Sequence, residues 1–572
     1  MQTAETTLPA HAPPTPRTET LSGAQVVVRL MVRQGVDIIA GIPGGAILPI
    51  YDALAQSGRL RHILARHEQG AGFIAQGMAR ISGRPAVCLA SSGPGATNLL
   101  TAIADAKLDS VPLIAITGQV PRALIGTDAF QEVDAIGLSH TITKHSFQAR
   151  AASELLDIIP AAFSIAASGR PGPVLIDIPK DVQCETLSVT DWPQPGRPEP
   201  AAAPDMEAIT RAASMINAAQ APVLYLGGGI IHAGADALAV ALAEKAGLPT
   251  TTTLMALGAI PVRHPLAIGM LGMHGARYTN MVLDESDLLI AVGARFDDRA
   301  TGRLEAFCPR AKVIHIDIDA AELGKLKTPH VAIRGDAAAT LKALLPLVQR
   351  QARKNWLARV EALRRRYPPA WPDIDDAHSH YGLVRAVADC LDEDAIIATD
   401  VGQHQMWVAQ SYPFARPRRW LSSGGLGTMG FGIPAALGAA MAEPENTVVC
   451  FTGDGSILMN LQELATLAET GANVKIVLMD NASLGLVQQQ QELFYGERVY
   501  ASLYAAPPDF LAIARGFGLK AADLDTADDP RELLHRLLTA PGPCLIHAGI
   551  DRHARVYPMV PPGAANTQMI GA

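Results

Sequence analysis

The chain has 572 residues, enough for three or four domains, and its 49% apolar and 18% charged content suits large buried cores. A formal net charge of −8 argues against nucleic acid or an anionic membrane as the main partner, and no apolar run approaches the ~20 residues of a membrane helix. Six scattered cysteines (Cys88, Cys184, Cys308, Cys390, Cys450, Cys544), with no C-x-x-C pair, are read as reduced thiols in a cytoplasmic, reducing compartment rather than as disulfides or zinc ligands.

In chain order, residues 1–20 are rich in Pro, Thr and Ala and lack the apolar segment of a secretory signal, so a disordered tail is expected. Beyond it, strand-like apolar runs alternate with helical patterns, which predicts an α/β protein of mainly parallel sheets flanked by helices. Pro-rich stretches at 189–204 and 367–380 read as linkers and divide the chain into domains 21–188, 205–366 and 381–572.

In the first domain His62-Ile63-Leu64-Ala65 reads as a strand and a helix runs on through Phe73, Ile74 and Met78, placing Glu68 at the junction between them. A glutamate there commonly serves the helix dipole. Three Gly-rich segments in the same domain suggest a ligand-lined rim instead: Ile42-Pro43-Gly44-Gly45, the turn from Ser92 to Asn98, and the run from Gly126 through Phe130 and Gln131 to Glu132.

The middle domain carries three strands ending in Gly or Asp: Leu224 to Gly227-Gly228-Gly229, Leu288 to Gly293, and Val313 to Asp319. They suggest a Rossmann-like nucleotide fold. There is no G-x-G-x-x-G, and a purely structural α/β domain fits nearly as well.

The third domain holds the strongest signal. Thr447–Thr452 reads as a strand, Gly453-Asp454-Gly455-Ser456 as a tight turn, and a helix is expected from about Ile457 with Leu461, Leu464 and Ala468 on one face. The next strand, Val474 to Met479, ends at Asp480-Asn481. In a right-handed βαβ unit Asp454 and Asn481 leave the same end of the sheet, where open α/β sheets bind ligands. One anionic and one neutral oxygen suit Mg²⁺ completed by a diphosphate, and the expected helix N-terminus favours that anion.

These residues together resemble the catalytic large subunit of acetohydroxyacid synthase (acetolactate synthase), from about Leu21 to the C-terminus. The segment Val556-Tyr557-Pro558-Met559 onward to Asn566-Thr567 is closest to the bacterial isozyme I type. The resemblance implies a pyrimidine-binding domain, a central FAD-binding domain and a diphosphate-binding domain, with thiamine diphosphate, Mg²⁺ and FAD as cofactors. It implies that Glu68 hydrogen-bonds the aminopyrimidine, and that Asp454, Asn481 and Ser483 hold the metal. Pro43, Gly44, Asn98, Val401, Gly402, Gln403, His404, Met429, Gly453, Gly455, Ser456, Gly485 and Leu486 complete the thiamine diphosphate site, Met429 as the apolar prop between its rings. The flavin set is Arg170, Gly227, Gly228, Gly229, Leu271, Gly272, Met273, His274, Gly293, Arg295, Asp297, Arg299, Asp317, Ile318 and Asp336. Phe130, Gln131, Lys144 and Arg299 are implied at the reaction, with Arg299 engaging the second substrate. Lys144 taken alone reads as a solvated lysine.

The implied reaction decarboxylates pyruvate and joins the remaining fragment to pyruvate or 2-oxobutyrate, for branched-chain amino acid biosynthesis. The resemblance further implies active sites at a dimer interface and a small regulatory subunit. One departure stands out: Gln490 occupies the place of the family's usual tryptophan, which predicts a weaker preference for 2-oxobutyrate over pyruvate as acceptor. Two rival readings are a flavin-using pyruvate oxidase of similar architecture and a non-catalytic paralogue. The segment Phe130-Gln131-Glu132 and the Arg295–Arg299 cluster weigh against the first. The joint presence of Glu68, Asp454 and Asn481 weighs against the second.

Overall fold

The computed structural model describes residues 18–571. Most of the expected N-terminal tail therefore lies outside the described residues. Its last part does not behave as a tail: β1 (Glu19–Ser22) pairs antiparallel with β8 (Thr186–Val189), closing the first domain at its own exit. The alternation Leu21-in, Thr20-out was too short to register as a strand by pattern.

The first domain is built on β2 (Ile38–Gly41), β3 (Arg61–Leu64), β4 (Ala86–Ala90), β5 (Leu113–Gln119), β6 (His145–Gln148) and β7 (Val174–Pro179), in the order β3-β2-β4-β5-β7-β6. The third domain uses β15 (Ile396–Thr399), β16 (Trp420–Leu421), β17 (Val448–Gly453), β18 (Val474–Asp480), β19 (Lys520–Asp523) and β20 (Cys544–Gly549), in the order β16-β15-β17-β18-β20-β19. These are the same winding, and every strand pair in both sheets is parallel. The two outer domains thus share one topology.

Between them, β9 (Pro222–Leu226), β10 (Thr250–Thr252), β11 (Ala267–Met270), β12 (Leu288–Val292), β13 (Lys312–Asp317) and β14 (Val331–Arg334) run in the order β11-β10-β9-β12-β13-β14. This is the dinucleotide-fold order, with its switch point between β9 and β12. The turns that leave those two strands carry Gly227–Gly229 and Gly293.

The outer domains share one apolar core, in which Phe73 and Phe431 meet edge to face at 5.3 Å. Its seam is the crossing of helices Glu68–Ser82 and Gly432–Ala442, where glycines permit backbone-to-backbone contact. A Cβ on Gly77 would lie 2.1 Å from the Ala435 carbonyl oxygen, and one on Gly438 would lie 1.9 Å from that of Ile74.

The stretches 189–204 and 367–380 are irregular, except that Val189 still belongs to β8 and His380 already opens helix His380–Asp389. The helix expected from Ile457 is broken. Asp454–Ile457 forms a single turn and Glu463–Thr470 a second helix. Leu464 is fully buried, while Leu458 and Met459 in the break are exposed. The periodicity was right for the inward face, but one turn is too short to supply the helix-dipole contribution expected at Ser456.

No helix among the described residues is long and apolar enough to cross a membrane.

Candidate functional site

The Gly453–Ser456 turn and the Asp480–Ser483 turn leave neighbouring parallel strands, with Gly453 opposite Met479 in register. Asp454 is buried, and its carboxylate accepts the N–H groups of Gly455 and Ser483, both at 2.9 Å. The Asn481 side-chain oxygen accepts from the Ser483 hydroxyl at 3.0 Å, and its amide donates to Gln403 at 2.9 Å. Gln403 is wedged in place because Gly485 has no Cβ to meet it. Burial, and then the neighbouring Asp480 carboxylate, push the Asp454 carboxyl well above the usual range. A divalent cation reverses that penalty, so a buried carboxylate beside an amide oxygen and a serine is a donor set that fits Mg²⁺.

Gly402 and Gly453 both close on the His404 ring, which a Cβ at either position would approach within 3 Å. Burial pushes the imidazole down to about 3, so it is neutral, and its Nε2 is buried with no hydrogen-bond partner in the protein. An orphaned polar atom between two Gly-rich turns fits an absent polar ligand such as a diphosphate. The Ser456 hydroxyl donates to the Val401 carbonyl at 2.7 Å and binds the two turns together. Met429 ends a Gly-rich loop with its methyl 3.5 Å from where a Gly455 Cβ would stand, and Leu484 and Tyr504 face the same point. That loop hangs from Asp400, which accepts the N–H groups of Val401 (3.0 Å) and Gly430 (2.7 Å).

Glu68 is the first residue of its helix, capped by the His67 ring, which accepts from the Gln69 N–H. Its carboxylate accepts from the Asn98 amide at 2.9 Å and lies 3.4 Å from where a Gly95 Cβ would be. The junction is tied to the third domain by Glu463, whose carboxylate accepts the N–H groups of Arg66 and His67 at 2.9 and 3.0 Å. Gln131, at φ 60°, packs its backbone on Gly93 of the same turn. Phe130 beside it is 88% exposed. Gly44 packs on Ser91, the residue before that turn, leaving Pro43 at the rim.

The residues that the resemblance assigns to a flavin surround one cavity of about 1210 Å³, above the ~300–1,000 Å³ of ordinary small-molecule pockets. All of them line it except Gly272, which lies behind the wall: at φ 95° it lets the chain pass the Arg299 carbonyl, 2.4 Å from where its Cβ would stand. Gly227 and Gly293 make the cradle at the switch point, each within 2.6 Å of opposing backbone if given a Cβ. His274 lines the cavity as a neutral imidazole, held down to about 4 by burial, with Nδ1 buried and unpartnered. Arg170 is held by Ser110 and by Glu322 at 2.9 Å, and Asp297 and Asp336 cap short helices that open on the same space. Size, glycine cradle and orphaned polar atom fit a dinucleotide such as FAD. Val401, Leu486 and Gln490 line the cavity too, so it runs up to the segment that holds Gly402 and His404.

Arg299 is largely exposed at the cavity edge, 3.8 Å from the exposed Asp298. The C-terminal segment closes that edge: Val560 N–H donates to the Met273 carbonyl (2.9 Å), the Asn566 amide to Ala300 (2.8 Å), and Gln489 exchanges hydrogen bonds with Val556. Lys144 does not sit solvated. Its ammonium caps the helix Leu155–Ala167, donating to the Ile165 and Ser168 carbonyls at 2.5 and 2.6 Å, and burial lowers it to about 8.

Sequence reading missed Asp400 and Glu463. Asp400 sits directly before the Val401-Gly402 segment, a signal that was available. Glu463 shows only as a polar position inside a helical pattern, and its partners are almost 400 residues away.

The sequence matches the thiamine pyrophosphate enzyme N-terminal TPP binding domain over residues 21–138, the central domain over 209–344 and the C-terminal TPP binding domain over 400–548. Among similar proteins, the acetolactate synthase isozyme 1 large subunit of Escherichia coli (strain K12) is 60% identical over 96% of this chain and 98% of its own. The acetolactate synthase large subunit of Parasynechococcus marenigrum is 50% identical over 99% of this chain and 92% of its own. The chloroplastic acetolactate synthase of Arabidopsis thaliana is 43% identical over 99% and 86%.

Proposed function

The chain belongs to the family of acetolactate synthase large subunits, enzymes dependent on thiamine diphosphate, and from that premise we propose how its residues divide the work. The reaction removes CO₂ from one pyruvate and joins the remaining two-carbon unit to a second pyruvate, giving 2-acetolactate, or to 2-oxobutyrate, giving 2-aceto-2-hydroxybutyrate. Thiamine diphosphate, when bound, supplies the carbon nucleophile that no side chain offers.

Asp454 and Asn481, with Ser483, would hold a Mg²⁺ ion against the diphosphate, and Gly402, His404 and Gly453 would line the bed of that group. Glu68, fixed by Asn98 and by the Glu463 tie, holds and exchanges a proton with the aminopyrimidine. Met429 would be the apolar prop for the coenzyme. Arg299, with no buried carboxylate of its own, is free to pair with the carboxylate of the second substrate. Gln490 at the cavity edge offers no flat apolar surface to an extra methylene, which favours a mild rather than strong bias toward 2-oxobutyrate. FAD fills the switch-point cavity.

The site is completed by self-association. The Glu68 carboxylate contacts Asn98 and Gly95 of its own domain, and the apolar side chains around the two halves, Phe130, Leu426, Met459 and Tyr500, stand exposed. A small regulatory subunit and a reducing, cytoplasmic setting complete the proposal, the latter supported by six unpaired thiols.

The observation that carries this reading is the buried Asp454 facing Asn481 across neighbouring parallel strands. Purified protein given pyruvate, thiamine diphosphate, Mg²⁺ and FAD is expected to form acetolactate with no electron acceptor. Acetate or acetyl phosphate formed only when an acceptor is added would overturn it.

A further inference from the structure

His547 lies on β20, directly opposite Leu478 of β18, at the end of the sheet that carries the metal turn. Its ring stands between two carboxylates, Nε2 3.2 Å from Asp480 and Nδ1 3.1 Å from Asp523. Two nitrogens that both face carboxylate oxygens are both donors, so the ring is an imidazolium. The same two carboxylates raise it to about 9, the Asp480 hydrogen bond first.

Asp480 is the last residue of β18 and immediately precedes Asn481. Its other oxygen accepts the Ala482 N–H at 2.9 Å, and Ala482 is left-handed at φ 52°, a backbone state that a residue with a Cβ keeps only when its surroundings hold it. Ser483, next along, donates its N–H to Asp454 and its hydroxyl to Asn481. Without the His547 ring behind it, Asp480 would lose the contact that fixes its carboxylate where it accepts the Ala482 N–H.

We propose that His547 is a positioning residue for the metal–diphosphate site: it clamps Asp480, which fixes the Ala482 turn and so presents Asn481 and Ser483 to the cation beside Asp454. His547 touches none of the ligands. The proposal rests on the reading of Asp454 and Asn481 as metal ligands.

Mn²⁺ binding by the full-length protein in the presence of thiamine diphosphate, read from the free-ion paramagnetic resonance signal, tests it. His547→Gln is expected to weaken Mn²⁺ binding by about 10-fold or more, the usual cost of losing an outer partner of a metal site. FAD affinity should stay within twofold, kcat should recover at saturating metal, and His547→Lys, which keeps a cation, should restore part of the loss. Asp523→Asn, which leaves the ring in place with one anchor, should give a smaller shift in the same direction, and stands in if His547→Gln does not fold.

Unchanged Mn²⁺ affinity in a folded His547→Gln or Asp523→Asn protein would overturn the proposal, as would an equal fall in FAD affinity, which marks general loosening. So would a second bound Mn²⁺ in the wild type that disappears in His547→Gln, because His547 would then be a ligand with Asp523 and Asp525, whose ligand atoms lie within 4.8 Å of one another and of its ring. Asp454→Ala separates the two levels. If it too leaves Mn²⁺ binding intact, the ligand assignment has failed; if it abolishes binding while His547→Gln does not, only the positioning role has.

Discussion

Glu68 has one hydrogen-bonded side-chain partner, Asn98, and sits where a helix begins. Replacing it by Gln keeps that geometry, since Gln retains an oxygen for the Asn98 amide, but removes the group that holds the proton. Glu68→Gln is expected to lower kcat by about 10²–10⁴-fold, the range for a lost general acid–base group, with thermal stability and FAD binding little changed. Turnover measured at saturating thiamine diphosphate checks this, and wild-type activity would contradict the assigned role. A different carboxylate sets a pH dependence of stability. Asp177 is fully buried in β7, accepting from Thr117 (2.7 Å), Gln119 (3.1 Å) and Gln148 (3.2 Å), and burial raises its carboxyl to about 6. Since the folded value lies above the unfolded one, its stabilising proton is fully in place below about 4 and is lost as pH rises through 6. Melting temperatures across pH 4–7 should show the wild type losing up to ~2–3 kcal/mol that Asp177→Asn does not lose. Residues like these differ in how legible they are. Asp454 and Asn481 could be paired from the sequence because a βαβ unit places consecutive strand ends side by side. Glu463 could not, because the backbone N–H groups it ties, those of Arg66 and His67, belong to another domain. Lys144 was legible only as a charge, and its buried capping role depends on a helix end brought to it by folding.

At the scale of elements, strand runs and their chemistry-bearing turns were readable because strands buried on both faces are near-continuous apolar stretches. What periodicity could not show is where a helix breaks. Leu461, Leu464 and Ala468 keep helical spacing across the Leu458–Gln462 gap, yet the chain there turns Leu458 and Met459 outward. Nor could it show the seam between helices Glu68–Ser82 and Gly432–Ala442. That seam is set by glycines whose missing Cβ atoms let one helix rest on the other's carbonyls, and both lie in runs that read simply as apolar. Gly77→Ala is expected to push two backbones apart rather than shift a side chain, costing ~1–3 kcal/mol or more and lowering the melting temperature. Glu68 opens the first of these helices, so the same variant should lose thiamine diphosphate affinity. Calorimetric melting with and without the coenzyme separates the two effects. Gly471→Ala, at φ 63° but with open space around its Cβ position, is the control for local backbone strain without a packing clash.

For the whole molecule, two outer domains of identical winding accompany a dinucleotide-type sheet, and the chain carries both proposed halves of the coenzyme site, Glu68 in the first domain and Asp454 in the third. The exposed Phe130, at 88%, marks the rim of one half, and Met459 and Tyr500 are exposed near the other. A closed two-fold dimer covers both at once, because a patch that meets its complement on a partner meets it twice. If each site takes Glu68 from one subunit and Asp454 from the other, Glu68→Gln and Asp454→Ala damage different halves of the same machine. A heterodimer of the two variants then has one site carrying both lesions and one carrying neither. Each variant alone should be inactive, yet after co-refolding or co-expression in equal amounts half the dimers are mixed and half their sites intact, so about a quarter of wild-type activity should return. Diluting the wild type below its dimer dissociation constant should abolish activity in parallel with loss of the dimer in sedimentation. No recovery on mixing, in a preparation shown to contain heterodimers, would mean that both groups of each site come from one chain, and the apolar rim around Phe130 would then need a different cover.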